Sequence, residues 1–197
     1  MDQSTHTKKK DPYANKDKKT VVVGVTGSIA AYKAAELVSQ LRQRNHEVFV
    51  IMSADAKNFI TPLTLQTLSC NPVLESFSQE EPGSPCNHIG LADRADLLLI
   101  APATASTLAR LAYGFSDDPL GAVALATDAP LLIAPAMNVK MWEHPATREN
   151  VERLRMRGIS FIGPSSGMLA CGYEGPGRLI ESSIIVDQVE KILLEKK

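Results

Sequence analysis

Four groups of residues have the types and places that chemistry needs. Cys171 lies inside GPSSGMLACGYEGPGRL, Gly163–Leu179, which holds five glycines and two prolines in 17 residues. Cysteines are usually buried, and the Gly-rich surroundings of this one set it apart. His88 begins NHIGLADRAD, and an imidazole titrates near neutral pH. Asn138 stands in PAMNVKMWEHP beside Trp142, the only tryptophan. Its amide can orient a carboxylate. Two stretches, GVTGSIAAYK and APATAST, place hydroxyls at the start of helices: Ser28 behind Gly27, and Thr104, Ser106 and Thr107. Backbone N–H groups at a helix start, aided by the helix dipole, hold anions. Two such turns at one sheet edge can converge on a single phosphate.

Each group also has a plainer reading. Ser28 and the threonines are ordinary helix caps. His88 is a surface or cap residue. Asn138 is a turn residue that tolerates an unusual backbone angle. Cys171 is a small apolar filler, and Arg178 is a surface arginine. GVTGSIAAYK is neither GxGxxG nor a loop ending in GK[ST], so it does not identify a nucleotide by itself.

The surrounding pattern decides how these residues are positioned. Apolar runs read as buried strands at TVVVGV, HEVFVIMS (46–53), LLLIAPA (97–103), APLLIAPAMN (129–138) and ISFIGP. Helical stretches alternate with them: IAAYKAAELVSQLRQRN, about 55–68, HIGLADRAD, TASTLARLAYG stopping at Gly114, HPATRENVERLRMRG between Pro145 and Gly158, and ESSIIVDQVEKILLEKK. Residues 70–87, with three prolines, read as a loop. The composition of Gly163–Leu179 suits neither helix nor strand. Alternating strands and helices predict an α/β fold of three layers, Rossmann- or flavodoxin-like, with a parallel sheet covered on both faces. Ligands then bind beyond the carboxyl ends of the strands, where Gly27-Ser28, Ser53, Thr104–Thr107 and Met137-Asn138 all fall.

The chain has 197 residues, 44% hydrophobic and 22% charged, with a net charge of −1. That suits one globular domain and gives no global electrostatic case for nucleic acid or an anionic membrane. Residues 1–19 read as a polar, disordered tail and 20–197 as the domain. The tail lacks the apolar core of a secretory signal and the arginines of a transit peptide. No apolar run approaches the roughly 20 residues that span a bilayer. Three widely spaced cysteines form neither a disulfide framework nor a metal site and suit a reducing, cytoplasmic setting.

Taken together, GVTGSIAAYK, NHIGLADRAD, PATAST, PAMNVKMW and GMLACGYEGPGR occur in the order found in the homo-oligomeric flavin-containing cysteine decarboxylases. The chain resembles that family over about residues 20–195, and within it the members that decarboxylate 4′-phosphopantothenoylcysteine to 4′-phosphopantetheine in coenzyme A biosynthesis. The resemblance implies FMN held by Gly27, Ser28, Ile29, Ser53 and the turn of Thr104, Ala105, Ser106 and Thr107, with Met137 close by. It implies His88 as the base near the flavin, Asn138 on the substrate carboxylate, and Cys171 as the acid on a mobile clamp that includes Ala170, Gly172 and Arg178. The implied reaction oxidises the thiol end of the substrate to a thioaldehyde, loses CO₂ with that group as electron sink, and reduces the remaining enethiol. Homotrimers, with dodecamers as the larger assembly and FMN at subunit contacts, are also implied.

Two features depart from the family pattern. Ser106 stands where the family's PASANT motif has asparagine, which puts that side chain's contact to FMN in doubt. The chain ends without the ligase domain to which many bacterial versions are fused, so the phosphopantothenate–cysteine ligase is expected as a separate chain, or this chain is an excised part. Three alternatives remain at this level: a flavin prenyltransferase-like enzyme, a peptidyl-cysteine decarboxylase of the same fold, and a non-catalytic regulatory subunit.

Overall fold

The computed structural model describes residues 18–79, 86–168 and 172–195. Six strands form a parallel sheet: β1 (Thr20–Val25), β2 (Glu47–Met52), β3 (Val73–Leu74), β4 (Leu97–Ala103), β5 (Leu131–Pro135) and β6 (Ser160–Phe161). Their order is β3-β2-β1-β4-β5-β6. This is the doubly wound α/β arrangement, in which the order reverses between β1 and β4 and opens a crevice at their carboxyl ends.

The alternation of side chains along each strand sorts the apolar residues into two cores. Val21, Val23 and Val25 join Leu37, Leu41, Ile185 and Val189 on one face. These come from helices α1 (Ala34–Gln43) and α8 (Ser182–Glu195), and α2 (Pro62–Ser69) packs beside them. Val22, Phe49, Ile51 and Ile100 join Leu91, Leu108, Val123 and Leu154 on the other. There the covering helices are α3 (His88–Arg94), α4 (Ala105–Tyr113), α5 (Pro119–Ala126) and α7 (Pro145–Met156), the short α6 (Val139–Glu143) preceding α7. The three-layer α/β fold is as the sequence pattern predicts. Gly114 and Gly158 adopt positive φ, +73° and +83°, at the ends of α4 and α7, where the sequence places the stops.

Several boundaries differ from the sequence reading. The helix expected over 55–68 is two pieces, a 3₁₀ turn at Ala54–Asn58 and α2. Pro62 has no N–H to continue a helix, so Thr61 is extended and caps a new one. The loop at 70–87 contains an edge strand, β3, that pairs with Val50 and Ile51 of β2. Helix α5 was not anticipated, although Asp118 caps it and Pro119 opens it. Gly163–Leu179 is not wholly irregular: Ser165–Met168 (β7) and Glu174–Arg178 (β8) form an antiparallel ribbon apart from the main sheet. An isolated ribbon tolerates Pro176, which a central strand would not. Residues 1–17 of the expected tail lie outside the described residues. Lys19 is already tied to the fold, its carbonyl accepting the Glu47 N–H at 2.9 Å and its Nζ reaching Asp96 Oδ1 at 3.1 Å. Among the described residues no helix is long and apolar enough to cross a membrane.

Candidate active site

A cleft of about 1160 Å³ opens at the carboxyl ends of the strands. A single small-molecule site rarely exceeds about 1,000 Å³, so this cleft has room for a cofactor and a substrate together. Its floor is the switch crevice. Thr26, Gly27, Ser28 and Ile29 follow β1, Ser53 follows β2, Thr104, Ser106 and Thr107 follow β4, and Met137 and Asn138 follow β5. Arg178, at the end of β8, and Met168 also line the cleft.

Local hydrogen bonds fix the polar floor. Ser28 Oγ accepts the Ala30 N–H at 3.3 Å and Ser53 Oγ accepts the Ala56 N–H at 3.3 Å. Thr104 Oγ1 accepts the Thr107 N–H at 3.2 Å and lies 3.0 Å from Thr107 Oγ1. The capping reading of Ser28 and Thr104 is therefore correct, and Ser53 caps as well. Capping does not compete with the binding reading, because an accepting hydroxyl keeps its own hydrogen to donate, although one hydrogen is spent between Thr104 and Thr107. Gly27 has no room for a side chain: a Cβ there would lie 2.4 Å from Asp55 Cβ. That close approach holds the turn after β1 against the turn after β2.

Asn138 caps α6, its Oδ1 accepting the Lys140 N–H at 2.8 Å. The amide orientation is thereby set from the backbone, with the Nδ2 end directed away from that bond. Met137 is bonded to the β7–β8 ribbon through its N–H, which the Gly177 carbonyl accepts at 2.9 Å. The charged wall has two ends. Lys33 Nζ and Arg178 share Glu181, at 3.4 Å and 3.6 Å. At the other end Arg110 pairs with Asp117 and Asp118, and Asp118 Oδ1 accepts the Gly121 N–H at 2.7 Å to start α5.

Nine of the anticipated residues with Arg178 line one cleft: Gly27, Ser28, Ile29, Ser53, Thr104, Ser106, Thr107, Met137 and Asn138. Ala105 and Gly172 do not. Ala105 supplies the first turn of α4 behind its capping threonine, and Gly172 is exposed, with open space where a side chain would be. His88 does not line the cleft either. Its half-buried ring meets Phe77 edge-on, with centroids 5.3 Å apart, and Phe77 itself lines the cleft. Among the described residues His88 thus adjoins the cleft lining through Phe77. Ala170 and Cys171 lie outside the described residues.

Sequence reasoning missed Thr26, Phe77, Met141, Leu120 and the Arg110–Asp118 pair, all of which line the cleft. The proline after Asp118 was a readable signal for the last. Thr26 gave none, because its partners are more than 70 residues away.

The residues present fit a phosphorylated, flat, aromatic cofactor. Ser28, Ser53, Ser106, one hydroxyl of the Thr104–Thr107 pair and the start of α4 supply donors for a phosphate, and Met52, Phe77, Leu120, Met137 and Met141 supply apolar walls for a ring. Among the described residues no group of three or more histidines, cysteines or acids is placed to hold a metal.

Comparison with known proteins agrees with this chemistry. Residues 9–194 match the family model described as Flavoprotein. A probable phosphopantothenoylcysteine decarboxylase of Streptococcus mutans is 48% identical over 177 residues, 89% of this chain and 99% of that one. The bifunctional coenzyme A biosynthesis protein CoaBC of Vibrio vulnificus is 45% identical over 178 residues, covering 90% of this chain and 44% of its own. The chain thus spans less than half the length of such bifunctional relatives. Among solved structures, a cysteine-to-serine variant of a PPC decarboxylase complexed with pantothenoylaminoethenethiol has a TM-score of 0.79 at 32% identity, covering 88% of this chain and 97% of that one. The FMN binding protein AtHal3 has a TM-score of 0.78 at 33% identity, covering 91% and 98%. With nearly its whole length matched and its switch crevice built for such a cofactor, this chain belongs to the Flavoprotein family.

Proposed function

We propose that this chain is an FMN-dependent decarboxylase of 4′-phosphopantothenoylcysteine. One observation carries the reading: the hydroxyl-lined floor of the switch crevice, the cap residue Asn138 and the clamp residue Arg178 face one cleft large enough for cofactor and substrate. The names of the relatives support it.

FMN, when bound, would supply the two-electron redox capacity that makes the thiol end of the substrate a sink for the electron pair CO₂ leaves behind. The chain supplies the rest. The turns at Gly27-Ser28 and Thr104–Thr107 hold the phosphate, using hydroxyl and backbone donors at helix starts. Met137 and the other apolar walls exclude water from the ring. Asn138 donates its Nδ2 hydrogens to the substrate carboxylate. Cys171, which follows β7 and precedes β8 in the sequence, delivers the final proton. Arg178 and Lys33, which share one carboxylate, leave a net positive edge for the anionic end of the substrate.

His88 is the base in this reading. A homotrimer with FMN at the subunit contact would let His88 of one protomer serve the cleft of another. The ligase that makes the substrate would act as a separate chain or as a fused domain of a longer protein.

The test is the purified chain with synthetic phosphopantothenoylcysteine, following CO₂ release and the mass of the product. A yellow protein that releases CO₂ and yields phosphopantetheine supports the assignment. A yellow protein active only on peptides ending in cysteine would replace the substrate, and a colourless protein that takes up no FMN would overturn the cofactor.

A further inference from the structure

We infer that Thr26 is the residue that sets the spacing of the two phosphate turns, and through it the preference for a phosphorylated flavin over an unphosphorylated one. The inference rests on the FMN reading of the cleft.

Strands β1 and β4 are the two strands on either side of the order reversal. Their pairing runs from Val21 opposite Leu97 to Gly24 opposite Ile100. Just past the β1 end, the pairing of β4 with its other neighbour, β5, also shifts register, between Ile100 and Ala103. The backbone ladder therefore does not hold the two cofactor turns together where they begin.

Thr26 takes over at that point. It is 1% exposed, directly after β1. Its Oγ1 donates to the Pro102 carbonyl at 2.6 Å and accepts the Thr104 N–H at 3.2 Å. Its own carbonyl accepts the Ser28 N–H at 2.8 Å. One residue is thus bonded to the turn that carries Ser28 and to the residue that caps α4. The donor of its hydroxyl is committed to a carbonyl, so Thr26 acts through the turns and is a positioning residue. A threonine suits this place because branching at Cβ restricts χ1 and holds the hydroxyl in one direction.

The consequence is selective. A phosphate gripped from two turns responds to their separation, whereas a ring lying against methionines and Phe77 does not depend on it. Removing the hydroxyl leaves the buried Pro102 carbonyl and Thr104 N–H without this partner, and the turns relax apart.

The experiment titrates FMN and riboflavin into the flavin-free full-length chain, by flavin fluorescence, for the parent and for Thr26→Val, Thr26→Ala and Thr26→Ser. The parent is expected to prefer FMN strongly. Losing a buried hydroxyl pair should weaken FMN binding by about tenfold to a hundredfold in Thr26→Val and Thr26→Ala. Riboflavin affinity should stay within about threefold of the parent, because it has no phosphate to misplace. Thr26→Ser should restore the FMN preference. Unchanged FMN affinity in Thr26→Val overturns the inference. So does a parallel fall for both ligands, which would make Thr26 a residue of the general fold. Failure of both hydroxyl-free variants to fold while Thr26→Ser folds overturns it in the same way. A parent that binds neither flavin fails the cofactor reading itself, which is a separate result.

Discussion

The Gly177 carbonyl accepts the Met137 N–H at 2.9 Å, and a Cβ on Gly177 would stand 2.3 Å from the Met137 carbonyl oxygen. The β7–β8 ribbon therefore lies directly on the backbone that carries Met137 and Asn138. Only a residue without a side chain permits that approach. Gly177→Ala must push the ribbon away or displace Met137. We expect a folded protein destabilised by about 1–3 kcal/mol, the usual cost of overpacking. A displacement near 1 Å in a positioned site costs about a hundredfold in turnover. Steady-state decarboxylation beside a thermal melt checks this, and a variant with the parent's rate would detach the ribbon from catalysis.

Gly27 makes the corresponding contact on the cofactor side. Because any Cβ there meets Asp55, Gly27→Ala should already weaken FMN binding. Gly27→Asp should abolish it, since it adds a carboxylate both to the phosphate turn and next to Asp55. The measurement is FMN retention on gel filtration. If the aspartate variant emerges as yellow as the parent, the phosphate is not held at this turn.

What was legible in the sequence follows from the range of the forces involved. Strands of Val, Leu and Ile, the glycine stops at Gly114 and Gly158, and the caps Ser28 and Thr104 are decided by neighbours within a few residues. They read correctly. Pro62, which divides the helix expected at 55–68, was equally local and was overlooked. The two-residue edge strand β3 is different: Val73 and Leu74 become a strand only because β2 offers an open edge. The ribbon β7–β8 misreads for a related reason, since its glycines are selected by close approach to Met137 and Val139. His88 was placed at the site by motif order, and motif order carries no information on which chain's cleft it enters.

The cysteines should differ in reactivity. Cys70 is exposed, at the left-handed cap of α2. Burial raises the Cys86 pKa, with Arg94 partly offsetting this and Glu47 adding to it. The thiolate is the reactive form, so maleimide at pH 7–8 should label Cys70 well before Cys86, read by peptide mass spectrometry. The raised folded value also means that Cys86 favours the folded state below the thiol's unfolded pKa. That contribution is lost as pH rises through the folded value. Equal labelling of the two would contradict the burial argument.

His88→Asn separates the base from the fold. The side chains are similar in size, and the substitution removes the ring contact with Phe77. FMN binding and oligomeric state should be unchanged, while decarboxylation falls by about 10²–10⁴, the usual share of a general base. Under anaerobic conditions the flavin should no longer bleach on mixing with substrate, because the first oxidation fails. Mixing His88→Asn with the inactive Asn138→Asp variant adds a second readout. If His88 serves a neighbouring protomer's cleft, mixed trimers regain activity in clefts built from one intact contribution of each. Full activity in His88→Asn alone would remove it from the mechanism.

Cys171→Ser should stop the reaction after CO₂ has left. A serine hydroxyl is a far weaker acid than a thiol, whose unperturbed pKa is about 8.5. Without that proton the enethiolate cannot be protonated as it is reduced, so the decarboxylated species should be released two mass units lighter than phosphopantetheine. Anaerobically, about one equivalent per flavin is expected, because each turnover consumes the oxidised cofactor and does not return it. Mass spectrometry of parent and variant products distinguishes the cases. Normal phosphopantetheine from Cys171→Ser would mean that another group donates the proton. No CO₂ at all would mean that the thiol acts before decarboxylation, in closing the ribbon over the substrate. Gly177→Ala should then reproduce the Cys171→Ser result, because both would leave the cleft open.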